Sequence, residues 1–554
     1  MKKRTITIYI STLLGISSVL SSCSKDFLER PPLNQISEDT FWKKEADVFQ
    51  AVNGVYNKLG GDGIIYDDGA TDNAHAQYPW ESFATEISSG NVTTALTGSW
   101  NFEAIRRCNY FLENADKAAE VMDQTLLERY KAEVRFLRAY FYHDLTNKYG
   151  AVPLITKVLP LGEENVPRDE KTAIIQFITD ELSAVAAILP AEYPGGKSNE
   201  RGRATKGAAW ALLARVQLYE GQWEAAADAA QDVMGLGYSL FKVGAESGDD
   251  TKDDYQKWVD FNSAADEQQF RLGLRSYEGL FRQVHEGNSE VILDRQQINQ
   301  VDANYLNTYL PSGDMGGWSS VTPTQALVDA YASYKTGEPV SPTDPAQRAT
   351  WYKNNDARFS NEYRNRDPRF YATVLFDGAP WNSFSDGFQF KWTPGASNMS
   401  QTGYNFRKLV DPTFFKEPIV DNHANVILLR YAEVLLTYAE AKNESTGPDA
   451  SVFEALDQIR QRAGMAKVDR SKYGSKELLR SLIRQERRVE LALEGQRFMD
   501  IRRWDIAPQV MKNIYDVRNT LAQERIWDDK LNLLPVPQRE IDLAQGILTQ
   551  NPGY

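Results

Sequence analysis

The chain has 554 residues and a net charge of −14, with 62 Lys and Arg against 76 Asp and Glu. Such a surface repels phosphate on average, which argues against nucleic acid as a partner. A hydrophobic share of 42% with 25% charged residues describes a water-soluble globular body, and no stretch beyond the N-terminal leader reaches the roughly 20 apolar residues that a membrane-crossing helix needs.

The chain opens with Lys2, Lys3 and Arg4, runs through an apolar stretch from Ile6 to Leu20 and ends that segment in Leu20-Ser21-Ser22-Cys23. A basic start, a core of about 15 apolar residues and a small-residue exit read as a secretory signal that is removed, over residues 1–22. The exit resembles a bacterial lipobox, which makes Cys23 the lipidated first residue of the mature chain. Each buried acyl methylene stabilises attachment by roughly 0.8 kcal/mol, so several chains anchor firmly. Ser24-Lys25-Asp26 resembles the surface-export signal of Bacteroidetes lipoproteins. Only one other cysteine exists, Cys108, so an exported mature chain has no internal disulfide and is held by its packing.

Apolar residues recur at helical spacing over 45–59, 100–119, 125–148 and 172–189. The stretch 204–220 leads through Gly221-Gln222 into 223–234, whose Ala225, Ala226, Ala229 and Ala230 favour close helix contact. This helix–turn–helix form resembles a tetratricopeptide unit. From 237 to 425 the pattern changes to clustered Gly, Pro, Asn, Ser and aromatics, and loop-rich segments on a helical frame are where binding residues tend to sit. Helical spacing resumes over 426–442, with Leu428, Tyr431, Ala432, Leu435, Tyr438 and Ala439 on one face. A stop-and-cap stretch, Glu444 to Asp449, separates it from a helix over 452–462, and a last one covers 475–494. No fixed period of 34 runs through the chain. The expected fold is mainly α: irregular tetratricopeptide-like helical hairpins packed against a loop-rich part with few short strands. The expected division is a leader over 1–22, an N-terminal helical region over 23–236 and a C-terminal region over 237–554.

Residues that carry chemistry are scarce. Arg487, Glu490, Glu494 and Arg497 share one helix face at steps of three and four. Flanking arginines favour the ionised carboxylates, whereas a glycosidase acid needs a raised pKa, so this set reads as a structural ion-pair ladder. The histidines His75, His143, His285 and His423 are far apart, which leaves no metal motif. Asp249-Asp250 with Asp253-Asp254 lacks the Gly and terminal Glu of a calcium loop and reads as a solvated acidic loop. There is no nucleophile elbow, phosphate loop or dinucleotide fingerprint, and Gly60-Gly61-Asp62-Gly63 reads as a turn. No cofactor is expected.

Aromatics are the surplus, at 11%. Tyr78-Pro79-Trp80, Gly316-Gly317-Trp318, Pro380-Trp381 and Lys391-Trp392 sit in turn-like surroundings. An indole suits the C–H face of a pyranose, and neighbouring Asp, Asn and Arg bond the hydroxyls; the alternative is that each ring caps a loop against the core.

Three stretches in order carry a family resemblance: Arg430-Tyr431-Ala432-Glu433-Val434-Leu435-Leu436-Thr437-Tyr438-Ala439-Glu440-Ala441; Arg484 to Asp500, with Glu494-Gly495-Gln496-Arg497-Phe498; and Leu534-Pro535-Val536-Pro537-Gln538-Arg539-Glu540-Ile541 with Asn551-Pro552-Gly553-Tyr554. Asp26-Phe27-Leu28-Glu29, Phe41-Trp42 and Ala51-Val52-Asn53-Gly54-Val55-Tyr56 agree with them. Together they resemble the SusD/RagB family over nearly the whole mature chain. The resemblance implies four tetratricopeptide-like hairpins and an irregular part with the ligand site. It further implies a lipid-anchored outer-membrane protein facing the exterior, a glycan ligand, and a SusC-like TonB-dependent β-barrel as partner. It implies no enzymatic activity.

Starch-binding members use an aromatic arc from an N-terminal loop and from a loop ahead of a Thr-Pro-Thr-Gln segment. Here these correspond to 72–91 and to 304–318 before Thr322-Pro323-Thr324-Gln325. The expected stacking platforms are Trp80, Tyr305 and Trp318, with Asp72, Asn73 and Asn304 as hydrogen-bonding partners. Two other readings stand beside glycan capture: a RagB-like peptide receptor or tetratricopeptide-type scaffold, and a glycosidase with Glu490 or Glu494 as its acid.

Overall fold

The computed structural model describes residues 41–193, 200–416 and 422–554. The leader, Cys23 and the Asp26-Phe27-Leu28-Glu29 stretch lie outside the described residues. The longer helices, in chain order, are α1 (Glu45–Tyr56), α2 (Phe102–Asn114), α3 (Gln124–Tyr149), α4 (Lys171–Ala186), α5 (Lys206–Tyr219), α6 (Trp223–Met234), α7 (Ala264–Gly279), α8 (Tyr431–Thr446), α9 (Ala450–Arg462) and α10 (Lys476–Glu490). Several begin where a side-chain oxygen accepts a first-turn N–H that has no partner within the helix. Asp123 takes that of Leu126, Thr205 that of Ala208, Ser263 that of Asp266, Asp449 that of Val452 and Ser475 that of Leu478. Each cap stabilises its helix by about 1 kcal/mol.

The helices stack in sequence, α2 on α3, α3 on α4, α4 on α5 and α5 on α6. Helix α6 then packs on α8, and α8 on α9 and α10, so the frame closes across the loop-rich stretch. Buried Ala208, Ala209, Ala211 and Ala214 of α5 and Ala226, Ala227, Ala229 and Ala230 of α6 leave little side chain between these helices, which allows a short interaxial distance. The fold is mainly α, with helical hairpins against a loop-rich part, as the periodicity indicated.

Strands are short: β1 (Ala74–Ala76), β2 (Val291–Arg295), β3 (Val321–Pro323) and β4 (Val426–Arg430) carry the two pairings that matter here. β1 runs antiparallel to β3, and β2 antiparallel to β4. The second pairing corrects the reading of 426–442 as one helix. Val426–Arg430 is a strand, and the helix starts at Tyr431. A run of Val, Ile and Leu fits a buried strand as well as a helix, and the partner β2 decides it. Helix α10 likewise stops at Glu490, short of the expected 494. Helix α7 lies inside the stretch read as loop-rich, with Phe270, Leu274 and Tyr277 buried at helical spacing. Its Gly273 rests on the backbone of Ala463 and Gly464, where a Cβ has no room.

Charge fastens the loop-rich part to the frame. Arg430, at the end of β4, meets Glu290 at 2.8 Å, Glu490 at 2.7 Å and Glu494 at 2.6 Å. Arg462 of α9 pairs with Glu290 at 2.8 Å and also with Glu490, and Arg369 reaches Glu490 at 3.0 Å and Glu486 at 2.9 Å. Lys408 closes the set on Glu494 at 2.6 Å. The ladder expected along one helix face is therefore a lattice between segments, with Arg487 on Asp500 and Arg497 on Asp72, each at 2.8 Å. Burial pushes the Glu490 carboxyl up, but Arg462, Arg430 and Arg369 outweigh it and hold the group well below the usual carboxylate range. Glu494 is lowered too, with Arg430 and Lys408 overcoming its burial. Ionised and enclosed, neither carboxylate suits a general acid.

The acidic run also needs correction. Asp250 and Asp253 are buried, not solvated. Asp253 pairs with Arg275 at 2.7 Å and Asp250 with Arg282 at 3.2 Å. Among the described residues no cluster of His, Cys, Asp and Glu is disposed to hold a metal.

Candidate functional site

Strand β1 leads into Gln77-Tyr78-Pro79-Trp80, and β3 is entered through Trp318-Ser319-Ser320. Ala76 faces Val321 across the antiparallel pair, so both loops leave the same end of the ladder. Gln77 adds a rung: its N–H donates to Ser320 O at 3.0 Å, and its side-chain amide to Trp318 O at 3.2 Å. The second loop folds back on itself, with Trp318 N–H on Thr308 O at 2.7 Å and Ser320 N–H on Tyr309 O at 2.6 Å. Gly316 turns the chain there at a φ of 87°, a region that favours glycine.

The rings presented by these loops are open to solvent. Trp80 is 78% exposed, Tyr305 54% and Trp318 45%. Tyr78 stacks on Trp80, centroids 5.0 Å apart and planes 28° from parallel. Tyr309 lies 5.9 Å from Tyr305, 5.9 Å from Trp318 and 6.0 Å from Tyr66, and so joins the second group of rings. Glu81 ties the two loops together, accepting from the Tyr66 hydroxyl at 2.8 Å and the Ser320 hydroxyl at 3.0 Å. Asp62 accepts the Tyr305 N–H at 2.8 Å. Backbones pinned in this way need little further ordering when a ligand docks, which lowers the entropic cost of binding.

Polar groups adjoin the rings. The Tyr78 hydroxyl donates to Asn398 Oδ1 at 3.2 Å. Tyr78 and Asn398 also line a groove of about 340 Å³ whose walls include Gln77, Trp392, Gln401 and Arg518. Flat apolar faces beside amide groups are the mixture that a pyranose requires, C–H face on ring and hydroxyls on polar atoms.

The structure brings Trp80 and Trp318 to neighbouring loops, and Tyr305 joins them through Tyr309. It does not bring Asp72, Asn73 or Asn304 to the surface, and these three expectations are corrected. Asp72 is buried between Arg497 and Arg488, each at 2.8 Å. Burial pushes its carboxyl up, but the two arginines prevail and lower it to about 2. Asn73 Oδ1 accepts from Arg488 at 2.8 Å. Asn304 donates to Ala424 O at 2.8 Å and accepts the Leu306 N–H at 3.0 Å. These side chains hold the loops from beneath. Trp381 and Trp392 are also buried, with the Arg407 guanidinium 5.1 Å from the Trp381 ring and the Trp392 indole N–H donating to Ser400 O at 2.8 Å. They cap loops against the core. Sequence reasoning did not find Tyr309 or Glu81; the i, i+4 spacing of Tyr305 and Tyr309 was the available signal.

A helical frame that displays exposed, pre-positioned rings from two stapled loops defines a binding protein. The pattern of the SusD family matches residues 278–554, and a second, described as starch-binding associating with outer membrane, matches 26–218. A SusD-like protein of Formosa agariphila is 24% identical over the full length of both chains. The solved structure of a SusD-like protein from Bacteroides fragilis is 30% identical, with a TM-score of 0.77 over 95% of this chain and 100% of that one. A SusD-like carbohydrate binding protein from the same organism is 27% identical, with a TM-score of 0.75 over 92% of this chain and 99% of its own. The chain belongs to the SusD family.

Proposed function

We propose that this protein captures oligo- or polysaccharide at the outer membrane and passes it, chemically unchanged, to a SusC-like TonB-dependent β-barrel. The observation that carries the reading is the outward display of Trp80, Tyr305 and Trp318 from loops fixed by the β1–β3 pair. Two likenesses support it: a relative named as carbohydrate binding, and a family pattern described as starch-binding and associated with the outer membrane. In this reading Cys23 carries the lipid that tethers the body at the cell exterior. The ligand site draws on both the 23–236 and the 237–554 regions, since Trp80 lies in the first and Trp318 in the second.

Isothermal titration of the full-length protein in detergent against a panel of polysaccharides tests this. Binding that weakens at least tenfold, about 1.4 kcal/mol, in Trp80→Ala and Trp318→Ala is the expected result. Silence toward every glycan, with oligopeptides co-purifying in mass spectra, would move the assignment to a RagB-like peptide receptor. Co-purification of a β-barrel with the tagged protein from its native membrane tests the hand-over.

A further inference from the structure

The loops that form the arc lack positive charge. The chain contains 62 Lys and Arg among 554 residues, yet none falls in 59–105 and none in 296–334. These are the stretches that supply Tyr66, Tyr78, Trp80, Tyr305, Tyr309 and Trp318. Carboxylates are present instead. Glu81 sits between the two loops and, among the described residues, accepts from the neutral hydroxyls of Tyr66 and Ser320. Asp62, under Tyr305, accepts a backbone N–H. Burial pushes the Asp62 carboxyl above its ordinary value, with a smaller contribution from Asp302.

Guanidinium groups around these loops are paired with carboxylates. Arg295 is held by Asp302 at 2.5 Å and by Asn57 at 2.9 Å. Arg518, in the groove beyond Tyr78, is held by Asp516 at 2.7 Å. Arg488 and Arg497 lie beneath the site, both on Asp72. Recognition of a carboxylate or sulfate calls for an available cation, most often an arginine fork, and an unpaired like charge brought beside Glu81 is repelled.

Resting on the glycan reading above, we infer that the arc selects uncharged glycans over chains bearing uronate or sulfate groups, and that Glu81 is the residue that sets this preference. The exclusion is local. It differs from the diffuse repulsion of the whole acidic protein because it depends on one carboxylate between the rings.

The test uses full-length protein in detergent and polysaccharides in matched pairs. Each pair is a neutral polymer that binds and the same polymer with its primary hydroxyls oxidised to carboxylate or partly sulfated. At about 10 mM salt the charged member should bind at least tenfold more weakly. Glu81→Gln, isosteric and at a partly buried position, should narrow that ratio several-fold. So should about 1 M salt, which shortens the screening length from about 30 to about 3 Å. A charged member that binds as tightly as its parent overturns the inference while leaving glycan capture intact. A ratio unmoved by both Glu81→Gln and salt also overturns it, because the deficit then comes from a lost hydroxyl contact. If no polymer of either kind binds, glycan capture fails and the inference falls with it.

Discussion

Two aromatic regions of the molecule differ in what covers their rings. Beneath the surface, Tyr363, Phe370, Phe376 and their neighbours pack ring on ring, with centroids 4.5 Å apart for Tyr363 and Phe376 and 5.1 Å for Phe370 and Phe376. At the surface, Trp80, Tyr305 and Trp318 use the same chemistry but keep open faces. The inner rings find all their partners within the chain. The outer rings stay largely open to solvent, and polar neighbours such as Glu81 hold their loops in place. Local composition does not separate the two sets; what lies over each ring does.

The comparison breaks most sharply at Trp381, which is fully buried. Trp381→Ala should destabilise the protein by about 3–5 kcal/mol, read as a shift of the urea midpoint, because it leaves a cavity. Glu490→Gln tests the ionic lattice that carries both regions. It removes a charge shared by Arg430, Arg462 and Arg369, and a loss of about 3–5 kcal/mol is expected from uncompensated buried charge. A smaller effect belongs to Asp68, which lies under the arc and is pushed by burial up to about 7, against the Leu493 N–H and Asn73 that favour its ionised form. Its unfolded pKa is about 3.9, so the native state holds the extra proton between the two values. Stability therefore falls as pH rises through that window, by on the order of 1.4 kcal/mol per pH unit at most, and is level beyond it. Urea unfolding at pH 5 and pH 8 should show this fall in the wild type and a flatter profile in Asp68→Asn. The smallest stability change is expected at the outer rings, where Trp80→Ala should stay within about 0.5 kcal/mol. The same variant should still weaken glycan binding at least tenfold. A large loss of stability there would erase the distinction between the two regions.

Much of the frame was legible from spacing alone. The Ala-rich pair now seen as α5 and α6 runs from Lys206 to Met234, close to the expected 204–234. Periodicity failed where a partner distant in sequence decides the outcome. Val426–Arg430 reads equally as strand or helix until β2 is placed beside it, and α7 has Arg271, Arg275 and Glu278 along a helix whose apolar residues are few. At the site, a turn-like setting beside Pro or Gly did not by itself mark the open rings, since Trp80 and Trp318 are exposed while Trp381 is buried; the family resemblance is what singled out Trp80, Tyr305 and Trp318. Asp72, Asn73 and Asn304 were misread because a loop position does not reveal which way a side chain points. Arg488 and Arg497 draw the first two inward, and those arginines come from the far end of the chain.

The pairing of β1 with β3 involves three rungs, and the residues beyond it on one side are turns. Loop grafting can exploit this: new ring arrangements inserted after Gln77 or before Ser320 inherit a fixed separation at their base. Under the proposed glycan reading, ligand preference becomes a modular property of this body, open to redesign at the tips without reworking the helical stack that supports them.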